Sequence, residues 1–324
     1  MTSFTSQVGL ELAPSRATLP TLVGVDAARL ADAYAQCRAI TRRAARNFYY
    51  GLRLTPEPRR SAVYSIYAWM RSADDQVDAP GSVEERSRRL ADLASTTDLA
   101  LAGDPDIASR GPFWIAFAAT MASFPIDPAH IRDMLKGLGE DLDHHGYATR
   151  DELEGYCYRV ASTVGLTCIA IWGLRNGADP ALAKRLAIAR GQAFQLTNIL
   201  RDVGQDYDDL PRRVYIPTAD LDRHGLNAAD LRQWRDDARC NALVSEMAAR
   251  AADFYRQSAS LESLIDPECA PALWGMTRIY RGLLEIIEAE PARVVGPARI
   301  RLSSARKGLI ALGALLRKRT GSWA

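Results

Sequence analysis

The sequence predicts an all-α protein. Three observations carry that expectation. Apolar segments of helical length recur along the chain, short Pro and Gly breaks separate them, and alternating strand-like runs are scarce. The first segment, 27–46, is Ala-rich and free of Pro and Gly. Pro56 and Pro58 then stand where a first helical turn tolerates proline, and a helix is expected from there to Asp78. Ala79-Pro80-Gly81-Ser82 breaks it, and Glu84 and Glu85 favour the start of the next. Further breaks fall at 103–105, 111–112, 125–128, 146–149 and 175–180. A long helix is expected over 181–206. After it, 211–217 reads as a loop with a short extended piece, Arg213-Val214-Tyr215-Ile216. Later helices are expected over 228–264, 270–289 and 304–318.

The breaks are short, and neither a Gly/Ser-rich linker nor a solenoid-length repeat is visible. One helical domain is therefore expected over 25–324, behind a flexible tail at 1–24. With 324 residues, 48% hydrophobic and 25% charged, the composition excludes a mainly disordered or multi-span membrane chain. A net charge of +2 gives no electrostatic footprint for nucleic acid. Five scattered cysteines without a CxxC, and four histidines, argue against a disulfide framework or a zinc site. The N-terminus has no charged region followed by an apolar core, so a cytoplasmic protein is expected.

The chemistry begins at Tyr67-Ala68-Trp69-Met70-Arg71-Ser72-Ala73-Asp74-Asp75-Gln76-Val77-Asp78. Asp74 and Asp78 are four apart, about 40° in azimuth on a helix, and so share a face. The two preceding turns are apolar nearly all round, which marks a buried helix. Carboxylates at a helix C-terminus oppose the dipole, so something positive should offset them. The second feature is Gln195-Leu196-Thr197-Asn198-Ile199-Leu200-Arg201-Asp202-Val203-Gly204-Gln205-Asp206. Gln195, Asn198, Asp202 and Asp206 form a polar stripe on an otherwise apolar helix. Such a stripe faces water or a polar internal cavity, and the two acidic pairs could face each other across one.

These candidate ligands are all oxygen donors, which suit Mg²⁺ or Mn²⁺ sharing its shell with phosphates and water. The pattern is not that of an EF-hand, a P-loop or a dinucleotide-binding fingerprint. Arg71, Arg201, Arg212 and Arg213 sit beside the acids. A metal with several arginines is what a diphosphate leaving group needs. The carbocation left behind needs a dry pocket with aromatic faces, which Tyr49, Tyr50, Phe48, Tyr64, Tyr67, Trp69, Tyr156, Trp172 and Phe194 could supply. Plain core packing is the competing role for most of them.

Over roughly residues 40–315 the chain resembles the squalene and phytoene synthases, head-to-head prenyltransferases. Asn47-Phe48-Tyr49-Tyr50 is similar to that family's Ser-Phe-Tyr-Tyr block, and Tyr67 to Asp78 to its first aspartate motif. Gly137, Asp141, Leu142 and Tyr147 match its Gly-Met-Glu-Met-Asp-Leu block. Tyr156-Cys157-Tyr158-Arg159-Val160-Ala161-Ser162-Thr163-Val164-Gly165 is close to its Tyr-Cys-Tyr-x-Val-Ala-Gly-Thr-Val-Gly. Gln195 to Asp206 followed by Arg213-Val214-Tyr215-Ile216-Pro217 is the most specific match.

The resemblance implies an isoprenoid-synthase-type helical bundle around a central cavity. It implies that Asp74 and Asp78 hold Mg²⁺ on one diphosphate, with Asn198, Asp202 and Asp206 doing so across the cavity. Arg71, Arg201 and Arg213 would neutralise phosphate. Tyr156 would stabilise or deprotonate near the cation, and Tyr280 would close the pocket. Asn47, Phe48, Tyr67, Gln195 and Asp141 complete the implied substrate contacts. Asn47 replaces a phosphate-touching serine, Met70 a cysteine and Ser162 a glycine, and the block's Glu is Gly139, with Glu140 one place on.

The implied reaction joins two molecules of farnesyl or geranylgeranyl diphosphate through a cyclopropyl diphosphate. Proton loss would end it at dehydrosqualene or phytoene, hydride from NADPH, needed only in that case, at squalene, and stopping at the cyclopropyl stage at presqualene diphosphate. Leu52 and Tyr64 are candidates for setting pocket depth, with the C15 substrate slightly preferred. A terpene cyclase, a head-to-tail elongase or an inactive helical scaffold are the competing readings. Alanine at Asp74 or Asp202 is expected to abolish turnover and leave the fold intact, even relieving repulsion. Last, the basic-flanked apolar stretch 306–318 is too short to span a bilayer. It is expected first as a C-terminal core helix with solvated ends, and second as a peripheral contact on an anionic membrane.

Overall fold

The computed structural model describes residues 25–45, 49, 51–210 and 212–320, the side chains of 319 and 320 excepted. The tail expected over 1–24 lies outside them, as do Asn47, Phe48, Tyr50 and Pro211. The described residues form helices and connecting turns, with one isolated bridge between Leu174 and Ile265.

Helix α1 (Ala27–Ala44) starts at Asp26, whose carboxylate accepts from the Arg29 amide. Helix α2 (Arg59–Asp78) follows Pro58, which stands one place before the first turn rather than within it. Its apolar surround is buried as expected: Ala62, Val63, Tyr64, Ile66, Ala68, Trp69, Ala73 and Val77 all lie in the core. Helix α3 (Val83–Leu101) opens with a capping box between Ser82 and Glu85. Helices α4 (Pro112–Ser123) and α5 (Pro128–Glu140) each carry proline in the first turn. Helix α6 (Arg150–Cys157) runs through a π-helical turn at Tyr158–Ser162 into α7 (Thr163–Trp172). Helix α8 (Pro180–Asp208) carries the long polar stripe.

The helix expected over 228–264 is divided. Helix α9 (Thr218–Arg223) precedes it, and α10 (Ala228–Gln233) is its first piece. Trp234 then turns left-handed (φ 51°), and Asp236 caps a new helix, α11 (Asp237–Gln257), by accepting from the Arg239 amide. Helix α12 (Leu261–Leu264) is a single turn, and α13 (Ala270–Ala289) and α14 (Ser304–Thr320) close the chain. A β-region cap residue rich in hydrogen-bonding capacity stops the α-period locally, which apolar spacing alone does not reveal.

The core has two parts. One packs α1 to α5 and α7 about Trp69, Phe117, Ile131 and Trp172. The other packs α6, α8, α11 and α13 about Leu196, Leu200, Leu243 and Leu284. The buried ion pair of Arg190 with Glu262 (2.5 Å) ties α8 to α12, and Thr277 of α13 donates to the same carboxylate at 2.8 Å. The π-turn is where α8 crosses most tightly. A Cβ at Gly191 would lie 2.4 Å from Ser162 Cα and 2.6 Å from its nitrogen. Ser162, which stands where the similar family has glycine, donates to the Ile188 carbonyl at 2.9 Å. Its added bulk is thus accommodated by glycine on the opposite helix. Gly191→Ala is expected to cost about 3 kcal/mol, because backbone rather than a flexible side chain must move. A urea titration unchanged from the parent protein would show that the crossing relaxes freely.

Candidate active site

The acidic end of α2 is offset by two arginines. Arg86 of α3, itself buried, donates to the Val77 carbonyl at 3.0 Å. Arg213, from the loop after α8, donates to Asp78 at 3.0 Å. Both place positive charge where the dipole and the carboxylates call for it. Arg71 contributes without a hydrogen bond, its charge favouring the ionised form of Asp74. It pairs with the exposed Asp75 one turn on, and it lines neither of the cavities described below. Arg71 thus stands outside both linings, beside Asp74 and paired with Asp75.

The stripe on α8 faces α2 across a cavity of about 300 Å³ lined by Asp74, Asp78, Asp141, Gln195, Asn198, Arg201, Asp202, Asp206, Arg213 and Tyr215. The two acidic pairs expected to face each other do so. No side chain among the described residues donates to the carboxylates of Asp74 or Asp206. Burial pushes each up to about 7, helped for Asp74 by Asp78 and for Asp206 by Asp202. The Asn198 Oδ1 is buried and accepts no hydrogen bond. Oxygen donors left short of partners, with destabilised negative charge, fit a hard divalent cation. Among the described residues no three His, Cys, Asp or Glu converge on one ligating point, so such an ion takes other ligands from substrate and water.

Asp202 differs. Arg201 donates to it at 2.8 and 2.5 Å, and Arg299, from the segment before α14, at 2.8 and 2.6 Å. Burial raises its pKa, but the two guanidinium groups outweigh this and hold it below the ordinary carboxylate value. A cation can use Asp202 when an arginine gives way. Arg299 escaped the sequence analysis. It stands 93 positions after Asp206 in a segment without motif-like spacing, and the acidic stripe gives no signal for which distant arginine answers it.

Asp141 is buried in the wall, where it accepts from Tyr156 at 2.9 Å and from Tyr215 at 2.8 Å. Burial raises its pKa against the pull of Arg213 and the two hydroxyls. Tyr156 does not line the cavity. Its ring stacks on Tyr215 with centroids 5.3 Å apart, and its hydroxyl is committed to Asp141. Tyr156 therefore reaches the site through the Asp141 carboxylate that its hydroxyl holds, and not as part of the cavity lining. Glu140 pairs with Arg159 and turns away from the cavity.

Asp74, Asn198 and Arg201 also line a second, larger cavity of about 1360 Å³, so the two are contiguous. Tyr49, Tyr64, Tyr67 and Tyr280 give it aromatic faces. Trp69 and Trp172 are core, their indole nitrogens donating to Thr97 and Thr55. Tyr280 is buried, stacks on Phe194 at 4.7 Å and bonds to Arg201, joining the aromatic wall to the charged one. Of the two residues expected to set depth, Tyr64 lines this cavity. Leu52 is buried behind it, and Leu54 takes that place.

Residues 41–306 match the family model described as squalene/phytoene synthase. The chain is 34% identical over 270 residues to 15-cis-phytoene synthase of Synechocystis sp., covering 81% of this chain and 78% of that one. It is 37% identical over 287 residues to phytoene synthase of Mycobacterium tuberculosis, covering 88% and 91%. A crystal structure of a dehydrosqualene synthase in complex with ligand superposes with a TM-score of 0.79 at 29% identity, covering 90% of this chain and 99% of that one. A squalene synthase from Alicyclobacillus acidocaldarius gives 0.73 at 26%, covering 83% and 98%.

Proposed function

We propose, from the premise that the chain belongs to the squalene/phytoene synthase family, that its substrate is geranylgeranyl diphosphate and its product phytoene. The chain is a prenyl-transferring enzyme of isoprenoid biosynthesis that condenses two prenyl diphosphates head to head. The names of its relatives outweigh the slight sequence preference for a C15 substrate. The observation that carries the reading is an acidic, arginine-fringed cavity opening into an aromatic one of about 1360 Å³. That volume exceeds the roughly 1,000 Å³ upper range for a single small ligand, in keeping with two long chains.

In this reading Asp74, Asp78, Asn198, Asp202 and Asp206 would hold Mg²⁺ or Mn²⁺, which supplies charge neutralisation to the departing diphosphate. Arg201, Arg213 and Arg299 stabilise the same developing charge by fixed N–H donors. Gln195 orients the polar end of the substrate beside Asn198, its Oε1 accepting from the Asn198 amide at 3.3 Å. Tyr67 and Tyr280 present aromatic faces to the allylic cation and exclude water. Burial raises both hydroxyls to about 12, so they stay neutral hydrogen-bonding groups at working pH. Asp141, held by Tyr156 and Tyr215, adds a buried negative charge that favours the Arg213 cation, while Asp78 accepts its hydrogen bond. Two steps follow: one diphosphate leaves, the second substrate's double bond attacks the allylic cation and a proton is lost to close the cyclopropane; then the second diphosphate leaves and the rearranged cation loses a second proton. Proton loss requires no NADPH. The same reading takes 25–324 as one catalytic domain and places the protein peripherally on a membrane, where long-chain lipids are exchanged.

Mass spectrometry of products, with Mg²⁺ and either C15 or C20 diphosphate, tests this. A C40 hydrocarbon from the C20 substrate, unchanged by NADPH, is expected. A C30 product alone would reassign the substrate, and a cyclised monomeric terpene would remove the head-to-head reading.

A further inference from the structure

Helix α14 was expected first as a core helix, and one of its faces is not. Leu309, Leu312, Leu315 and Leu316 are 68%, 54%, 50% and 53% exposed. Scattered exposed leucines need no explanation, but four on one helix do. Leu309, Leu312 and Leu316 fall within about 60° of each other around the helix. The other faces are occupied. Gly313 packs against Trp274 of α13, Ala314 is fully buried, and Arg306 pairs with Glu285. Lys307, Gly308, Ile310 and Ala311 form part of the wall of the large cavity. Around the helix the leucine face is the exposed strip between Gly308, in the cavity wall, and Gly313, against Trp274, and so lies beside the cavity mouth.

The mouth is basic. Arg38 and Arg42 of α1, Arg301 and Lys307 line it, and Asp74 is the sole acidic residue among its described lining. Arg38, Arg42 and Arg301 are exposed. We infer that the leucine face of α14 and this basic rim together dock on an anionic bilayer, holding the mouth of the prenyl cavity against the lipid. An apolar helix face bordered by cations lies in the interface plane, and each cation adds attraction to anionic headgroups. No helix among the described residues is long and apolar enough to cross a membrane. A second copy of this chain is a poorer occupant, since a two-fold contact on this patch sets the basic rim against itself. The geometry gives a route: a prenyl tail enters from the bilayer past α14, while the rim draws its diphosphate inward. This consequence rests on the prenyl-diphosphate reading; the docking itself does not.

The test is co-sedimentation of the full chain with phosphatidylcholine vesicles, alone or with one-third phosphatidylglycerol, without substrate. The protein should pellet with the anionic vesicles at low salt and be partly released in 1 M salt, where the Debye length falls to about 3 Å. The triple variant Leu309→Ser/Leu312→Ser/Leu316→Ser should lower vesicle partition about a hundredfold or more, with turnover of detergent-dispersed substrate unchanged. No pelleting with either vesicle overturns the inference. So does equal binding to neutral vesicles. So does a parent protein that dimerises without binding vesicles, joined by a monomeric triple variant. Because binding is read without substrate, vesicle binding by a protein that makes no C40 product would overturn the reaction and leave the docking intact.

Discussion

Asp74→Asn is expected to stabilise the metal-free protein at pH 8 and to lower turnover by at least about a hundredfold. The Asp74 carboxyl is raised from 3.8 to about 7 in the fold, first by burial. Below about pH 4 the group is protonated folded and unfolded, and costs nothing. Between about pH 4 and 7 the unfolded chain ionises while the folded one holds its proton, so stability falls as pH rises. Above about 7 the full penalty is present, on the order of 2–4 kcal/mol. Asparagine removes it and keeps the shape. Urea midpoints in chelator at pH 5 and pH 8 should show the variant's advantage growing with pH. An equal effect at both would mean that Asp74 is not the burdened carboxylate. The catalytic loss follows because asparagine cannot answer the positive charge that the diphosphate chemistry needs.

Asp202→Asn should do the opposite to stability. Asp202 receives both Arg201 and Arg299 in two-pronged contacts, and its folded pKa is depressed. A depressed carboxylate contributes stability above its unfolded pKa and loses it as pH falls through the folded value. Removing its charge leaves Arg201, which is mostly buried, and Arg299 facing a neutral amide. Breaking a buried ion cluster from one side costs about 3 kcal/mol or more. The destabilisation should be full at pH 8 and shrink toward pH 3. This revises the sequence-based expectation that removing either carboxylate relieves repulsion. The two aspartates look alike in the motif, but only Asp74 lacks a cationic partner in hydrogen-bonding range. If Asp202→Asn melts at or above the parent, Arg201 and Arg299 find other acceptors and the cluster is not a stabilising one.

Much of this was legible in the chain. Pro and Gly breaks marked most helix ends, because those residues act locally through dihedral angles and missing donors. The i, i+3, i+7, i+11 stripe put Gln195, Asn198, Asp202 and Asp206 on one face, because that spacing belongs to the helix and not to the tertiary fold. What spacing could not give was the partner of each charge. Arg299 meets Asp202 through the tertiary fold, and Arg71 turns to Asp75, one of two acids within its reach. Tyr156 was placed in the right neighbourhood by its motif, yet a side chain's distance from a cavity depends on which neighbour its hydroxyl finds. The division of 228–264 was hidden for a similar reason: Trp234 is left-handed, which its residue type does not announce.

The charged cavity draws its lining from Asp74 on α2, from Asp141, from α8 and Arg213, and its Asp202 from an arginine at position 299. Its parts are thus separated by most of the chain, and closing such long loops is slow relative to local helix formation. The site is complete when the fold is complete and not before. Anything that binds it therefore draws the equilibrium toward the whole native chain rather than toward a fragment. On the proposed reading, diphosphate with its cation is expected to act as a ligand-linked brace, and a rise in thermal midpoint on adding both, with no product formed, would report site assembly.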